Sequence, residues 1–126
     1  MLTIDLASGR PLAEQVEAGL RTAIARGDVR PGDRLPTARQ LAGDLAISLN
    51  TVARAYRALE SDGLVTTVRG RGTVVSSNRQ TDAGTAPARA SIAARLHEVV
   101  SDARLAGLTQ KQFERLAAEV AGKLWT

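Results

Sequence analysis

The chain of 126 residues contains no cysteine. Disulfide staples, thiolate metal sites and thiol catalysis are thereby excluded, and a reducing compartment suits it. Aromatic residues are almost as scarce: Tyr56, Phe113 and Trp125 are all there are. Recognition of single strands by stacking bases on aromatic platforms is therefore not expected. No apolar run approaches the roughly 18 residues that a membrane span needs. The opening Met1-Leu2-Thr3-Ile4-Asp5 has neither the basic nor the apolar region of a signal peptide. The expectation is a cytoplasmic protein with no membrane partner. His97 is the single histidine, and no carboxylate cluster stands at ligand spacing around it, so neither a metal nor a cofactor is expected. A structural role for His97 outweighs contact with an effector. Phosphate-binding and dinucleotide glycine motifs are missing, as is any nucleophile–base pair, so no catalytic residue is assigned and an enzyme is not expected.

What is present is positive charge, nearly all of it arginine. Lysine and arginine number 17 against 13 acids, a net charge of +4. That total speaks mainly to solubility; its distribution is more informative. From Arg34 to Arg57 there are four arginines and one acid, Asp44.

Pro11 is placed to start a helix, and Val16, Leu20, Ala23 and Ile24 recur at helical spacing before Gly27 stops it. Pro31-Gly32-Asp33 sets a turn. Thr37 to Gln40 reads as a capping box for a short second helix carrying Leu41, Ala42 and Leu45 inward. Ser48 is a good N-cap for a third helix, running to about Asp62. Val52, Tyr56 and Leu59 form its apolar stripe. Asn50, Ala53, Arg54 and Arg57, at i, i+3, i+4 and i+7, form the opposite one. Two β-branched runs, 64–68 and 73–75, flank Arg69-Gly70-Arg71-Gly72 and predict a glycine-tipped hairpin.

This order predicts a mostly α fold with a small β-wing: an N-terminal winged helix-turn-helix over residues 1–76. The second helix of such a pair enters the DNA major groove and the wing touches its flank. Asn50 suits adenine, and Arg54 and Arg57 suit guanine or phosphate. Arg39, early in the second helix, is placed to clamp a phosphate as that helix crosses the backbone. Arg69 and Arg71 beside Gly70 and Gly72 suit close approach to the minor groove. Each residue alone is matched by a plain alternative, a solvated helix face or an ordinary hairpin tip; their order along the chain favours DNA.

Residues 77–90 read as a linker rich in Ser, Thr, Gly, Pro and Ala. Two helices follow over residues 91–126. Ile92, Leu96, Val99 and Ala103 make the stripe of the first, which Gly107 ends, and Val100 joins its expected dimerisation residues. Thr109 to Gln112 is a second capping box, and Phe113, Leu116, Val120 and Leu124 mark the last helix. A hairpin of this size cannot bury two apolar stripes alone. The same hairpin from a second chain is the expected cover, giving a two-fold helical bundle. Trp125 reads as an interface or end-capping residue.

The motifs resemble the GntR family of bacterial transcription regulators. Pro11-Leu12, Gln15, Pro31-Gly32-Asp33-Arg34-Leu35-Pro36, Arg39, Leu41-Ala42, Asn50-Thr51-Val52, Leu59-Glu60, Gly63-Leu64 and Gly70-Arg71-Gly72-Thr73 carry the resemblance. The run from Thr51 to Glu60, followed by only a short tail, is similar to the YtrA-like subfamily, whose members add a short helical dimerisation region; an enzyme-fused subfamily shares that run. The resemblance implies DNA contacts at Arg39, at Ser48, Leu49, Asn50 and Thr51, at Arg54 and at the 70–72 wing. It also implies a homodimeric repressor on a palindromic double-stranded operator, released by a small-molecule effector. Five positions depart from the pattern. Ala13 and Val74 replace common aromatics, Ala46-Ile47 replaces a Gly-Val turn, and Leu49 stands where a polar residue is frequent. The competing expectation is a winged-helix adaptor that docks proteins rather than specific DNA.

Overall fold

The computed structural model describes residues 2–76 and 86–125. The chain separates into two compact units, Met1–Arg79 and Gln80–Thr126. In the first, α1 (Leu12–Arg26), α2 (Ala38–Leu45) and α3 (Leu49–Ser61) precede a hairpin of β1 (Val65–Val68) and β2 (Gly72–Val75). In the second, α4 (Ala86–Leu105) and α5 (Gln110–Leu124) make a helical hairpin.

The first unit has one core. Val16, Leu20 and Ile24 from α1 meet Leu41 and Ala42 from α2, with Val52, Ala55, Tyr56 and Leu59 from α3. Leu35, Val65 and Val75 close it from the wing side. Every side chain expected inward on α1 and α3 is buried; Leu45 is only half-buried at the end of α2. Val74 is buried at 6 % exposure, outside the main core cluster, so the smaller residue does not leave this strand position open to solvent. Ala13, the other departure from an aromatic, is half-buried on α1.

Both capping boxes form. Thr37 accepts from the Gln40 N–H at 3.0 Å while Gln40 accepts from the Thr37 N–H at 2.9 Å. Thr109 and Gln112 repeat this at 3.2 and 2.9 Å. Each box satisfies two N–H groups that a helix start would otherwise leave without partners. Gln15 has a different task. Its Nε2 donates to the Asp5 and Arg10 carbonyls at 3.0 and 3.1 Å, and its Oε1 accepts from the Asp5 N–H at 2.8 Å. The segment before α1 is thereby stapled to it, and Leu2 and Ile4 pack on the core.

The turn between α2 and α3 carries backbone strain. Ala46 caps α2 with φ 56° and ψ 44°, the one non-glycine among the described residues with positive φ. A Cβ in this left-handed conformation crowds the following carbonyl. Ala46 is exposed, so its methyl group gains little packing in return. Ala46→Gly is expected to stabilise the chain by about 1 kcal/mol, read as a higher urea midpoint with an unchanged slope. An unchanged or lower midpoint would mean that the strain is relieved elsewhere.

One feature adds to the sequence reading and one corrects it. The turn from Pro31 to Pro36 runs alongside β2 as a third strip: Arg34 bridges Val74, the Leu35 N–H donates to the Thr73 carbonyl at 2.8 Å, and the Val75 N–H donates to Asp33 at 2.8 Å. The second concerns the expected linker, of which residues 77–85 lie outside the described residues. Residues 86–90 are helical, the first turn of α4. Pro87 is tolerated there because a first-turn N–H has no intrahelical acceptor, and the alanines and Arg89 around it favour helix.

Candidate nucleic-acid interface

The burial of one face of α3 fixes what its other face offers. With Val52, Ala55, Tyr56 and Leu59 inward, Asn50, Arg54 and Arg57 are exposed and Ala53 is half-exposed. Tyr56 pins the helix in depth. Its hydroxyl donates to the Pro36 carbonyl at 2.6 Å, tying α3 to the residue just before the α2 cap. Burial pushes its phenol up to about 12, so it keeps donating well into the alkaline range.

At the start of α3 the four residues singled out from the sequence divide into two pairs. The Ser48 hydroxyl accepts from the Thr51 N–H at 3.2 Å and lies 2.7 Å from the Thr51 hydroxyl. Thr51 is half-buried. These two side chains bond each other and cap the helix. Leu49 and Asn50 are exposed at the tip and take no part in the cap; backbone N–H groups and the helix dipole there also favour an anion.

The arginines divide in a similar way. Arg21 pairs with Glu17 at 3.5 Å and with Asp62, and Arg26 approaches Asp28 at 3.9 Å, so the cations of α1 are neutralised within the fold. Arg39, Arg54, Arg57, Arg69 and Arg71 are exposed and have no acidic partner among the described residues. Unpaired arginines repel one another weakly and gain most from an external polyanion.

The wing follows α3 directly. Val65 pairs with Val75, Thr66 with Val74, Thr67 with Thr73 and Val68 with Gly72. The Thr67 hydroxyl donates to Glu60 at 3.1 Å, joining β1 to the last turns of α3. The Arg71 N–H closes the tip onto the Val68 carbonyl at 2.9 Å. Gly72 is therefore a strand residue, and the tip is Arg69-Gly70-Arg71. Gly70 has φ 84°, and an added Cβ would meet open space, so backbone conformation and not crowding calls for glycine there.

Arg34 was not singled out by the sequence. The bridge to Val74 sets this exposed arginine on the edge of the wing. A single-residue bridge leaves no alternating pattern to read, so only the local excess of arginine pointed to it.

A helix capped by Ser48, an arginine face opposite the core and a basic hairpin follow one another within residues 37–75. The family model for bacterial regulatory proteins, gntR family, matches residues 12–75. The chain belongs to the GntR family. It is 42% identical over 120 residues to the HTH-type transcriptional regulator Rv1152 of Mycobacterium tuberculosis, covering 94% of this chain and 93% of that protein. It is 33% identical over 121 residues to the HTH-type transcriptional repressor YtrA of Bacillus subtilis, covering 96% and 92%. Among solved structures, AraR(DBD) in complex with operator ORX1 superposes with a TM-score of 0.53 at 30% identity, over 60% of this chain and 93% of that one. The chain is a YtrA-like member of the GntR family, a transcriptional regulator with a winged helix-turn-helix DNA-binding domain.

The second unit of this GntR regulator buries none of its described side chains. Ile92, Leu96, Val99, Val100, Leu116 and Val120 are exposed, Val99 at 53 %, while Phe113 and Leu124 are half-buried. His97 is exposed on α4, and Trp125 is exposed as the C-cap of α5. At the corner of the hairpin Val100, Ala103, Leu108 and Phe113 line an open cavity of about 580 Å³, edged by Arg104 and Glu114. Among the described residues no group of three His, Asp or Glu side chains is placed to hold a metal. No described helix is long and apolar enough to cross a membrane.

Proposed function

We propose that this GntR regulator is a cytoplasmic homodimeric repressor that holds a palindromic operator and lets it go when a small molecule binds its helical hairpin. The unpaired arginine face of α3, followed by the basic wing tip, carries the reading. In it, Asn50, Arg54 and Arg57 meet base edges and phosphates in the major groove, Arg39 clamps the backbone, and Arg69, Gly70 and Arg71 approach the flank. Ser48 and Thr51 contribute through the capped helix start, and Gly72 as the first residue of the strand that carries the tip back to the core.

Dimerisation supplies the second half-site, about 34 Å from the first. The exposed apolar side chains of α4 and α5 support it, since an isolated hairpin of this size is marginal in water. The name of the Bacillus subtilis relative, a repressor, supports the direction of regulation. The corner cavity of the hairpin offers a place for an effector: its lining is mostly apolar, with a few polar groups. The adaptor reading needs a fold that has lost its cationic face, and this one keeps it.

The test is fluorescence anisotropy of the full chain on the duplex upstream of its own gene, against a scrambled duplex of equal length. Binding about a thousandfold tighter to the first is expected at physiological salt. The logarithm of affinity should fall with the logarithm of salt by about 0.9 per phosphate neutralised. Equal, weak binding to every duplex in a genomic pool would refute the repressor reading.

A further inference from the structure

Two side chains at the tip of α3 take no part in its cap, and one of them is apolar. Ser48 and Thr51 are engaged with each other in the cap. Asn50 is exposed and makes no side-chain hydrogen bond among the described residues. Leu49, the first residue of α3, is 42 % exposed. Among the described residues of the first unit the only other exposed large apolar side chain is Leu6, and a singly exposed leucine is not by itself a docking patch. Asn50 follows it in sequence, and Arg54 and Arg57 are exposed further along the same helix.

Bonds from Cα to Cβ tilt toward the N-terminus of a helix, so the Leu49 side chain leads the helix end. A helix entering the major groove tip-first carries such a residue against the floor. The groove floor offers hydrogen-bonding groups and one prominent apolar group, the C5-methyl of thymine. Polar base edges would be desolvated by leucine without a partner, at a cost. On the reading of α3 as the groove helix, we propose that Leu49 selects a thymine in each operator half-site by packing on its C5-methyl. Asn50, suited to adenine, prefers the same kind of base pair from the neighbouring position.

The probe is the palindromic duplex that the full chain enriches from a randomised double-stranded pool. Each thymine is replaced in turn, symmetrically in both half-sites, by deoxyuridine, which lacks only the methyl group. Binding is followed by anisotropy at fixed salt. At one symmetric pair of positions uracil is expected to weaken binding about fourfold per half-site, the worth of one buried methyl. The Leu49→Ala protein, whose changed side chain is exposed in the fold, should bind the thymine and uracil duplexes equally. A wild-type protein indifferent to every uracil replacement would overturn the contact, as would a penalty that persists in Leu49→Ala. Failure to enrich any sequence would instead overturn the repressor reading, and the contact with it.

Discussion

Arg54→Ala is expected to abolish discrimination between operator and scrambled DNA while the protein remains folded and dimeric. Arg54 lies on the face of α3 opposite the core, exposed and without an acidic partner among the described residues. Its removal leaves no cavity and no orphaned charge. Alanine is also at least as good a helix former, so stability should change little. A bidentate arginine–guanine contact is worth about 1–3 kcal/mol, and a symmetric dimer loses it twice. The operator affinity should therefore fall by roughly a thousandfold, toward the non-specific level. Arg69→Ala offers the contrast. A phosphate or minor-groove arginine at the wing tip should weaken all duplexes together and lower the salt slope by about one. Anisotropy titrations on operator and scrambled duplexes at several salt concentrations distinguish the two. Retention of full operator preference by Arg54→Ala would show that α3 does not read the bases.

The largest effect on assembly is expected from charges placed on the hairpin. Val99→Glu combined with Leu116→Glu introduces one carboxylate on each of α4 and α5, at positions that are about half-exposed in the chain. Neither substitution opens a core in the single hairpin, so the first unit keeps its own fold. In the proposed dimer both carboxylates of both chains would enter an apolar interface without partners, at a cost of several kcal/mol. The variant should be monomeric by light scattering at concentrations where the parent is a dimer. Its operator affinity should drop by roughly 10²–10⁴, because the second half-site is then no longer engaged at high effective concentration. A variant that stays dimeric would move the interface to another surface.

The two predictions draw on unequal parts of the sequence pattern. The arginine face was legible because α3 is amphipathic at helical spacing, and burying Val52, Tyr56 and Leu59 leaves Arg54 and Arg57 no other side to occupy. Both capping boxes were legible for the same local reason: donor and acceptor stand three residues apart. Spacing said less about the tip of α3. Ser48, Leu49, Asn50 and Thr51 form one run in sequence, yet the cap engages Ser48 and Thr51. Pro87 also misled in isolation, since in a linker and in the first turn of a helix it looks alike.

Sequence alone determined the helices, the hairpin, the core side of each element and the cationic face, because each depends on residues within a few positions of one another. Only the tertiary structure decided what joins segments far apart. The bridge from Arg34 to Val74 spans forty residues and sets a further arginine beside the wing. The bond from Tyr56 to Pro36 ties the groove helix to the start of α2 across twenty. The left-handed turn at Ala46 is imposed by packing α2 against α3, against the preference of alanine itself. No local propensity encodes these pairings; they form when burial of Leu20, Leu35, Val52 and Leu59 brings distant backbone groups together and leaves each to find its partner there.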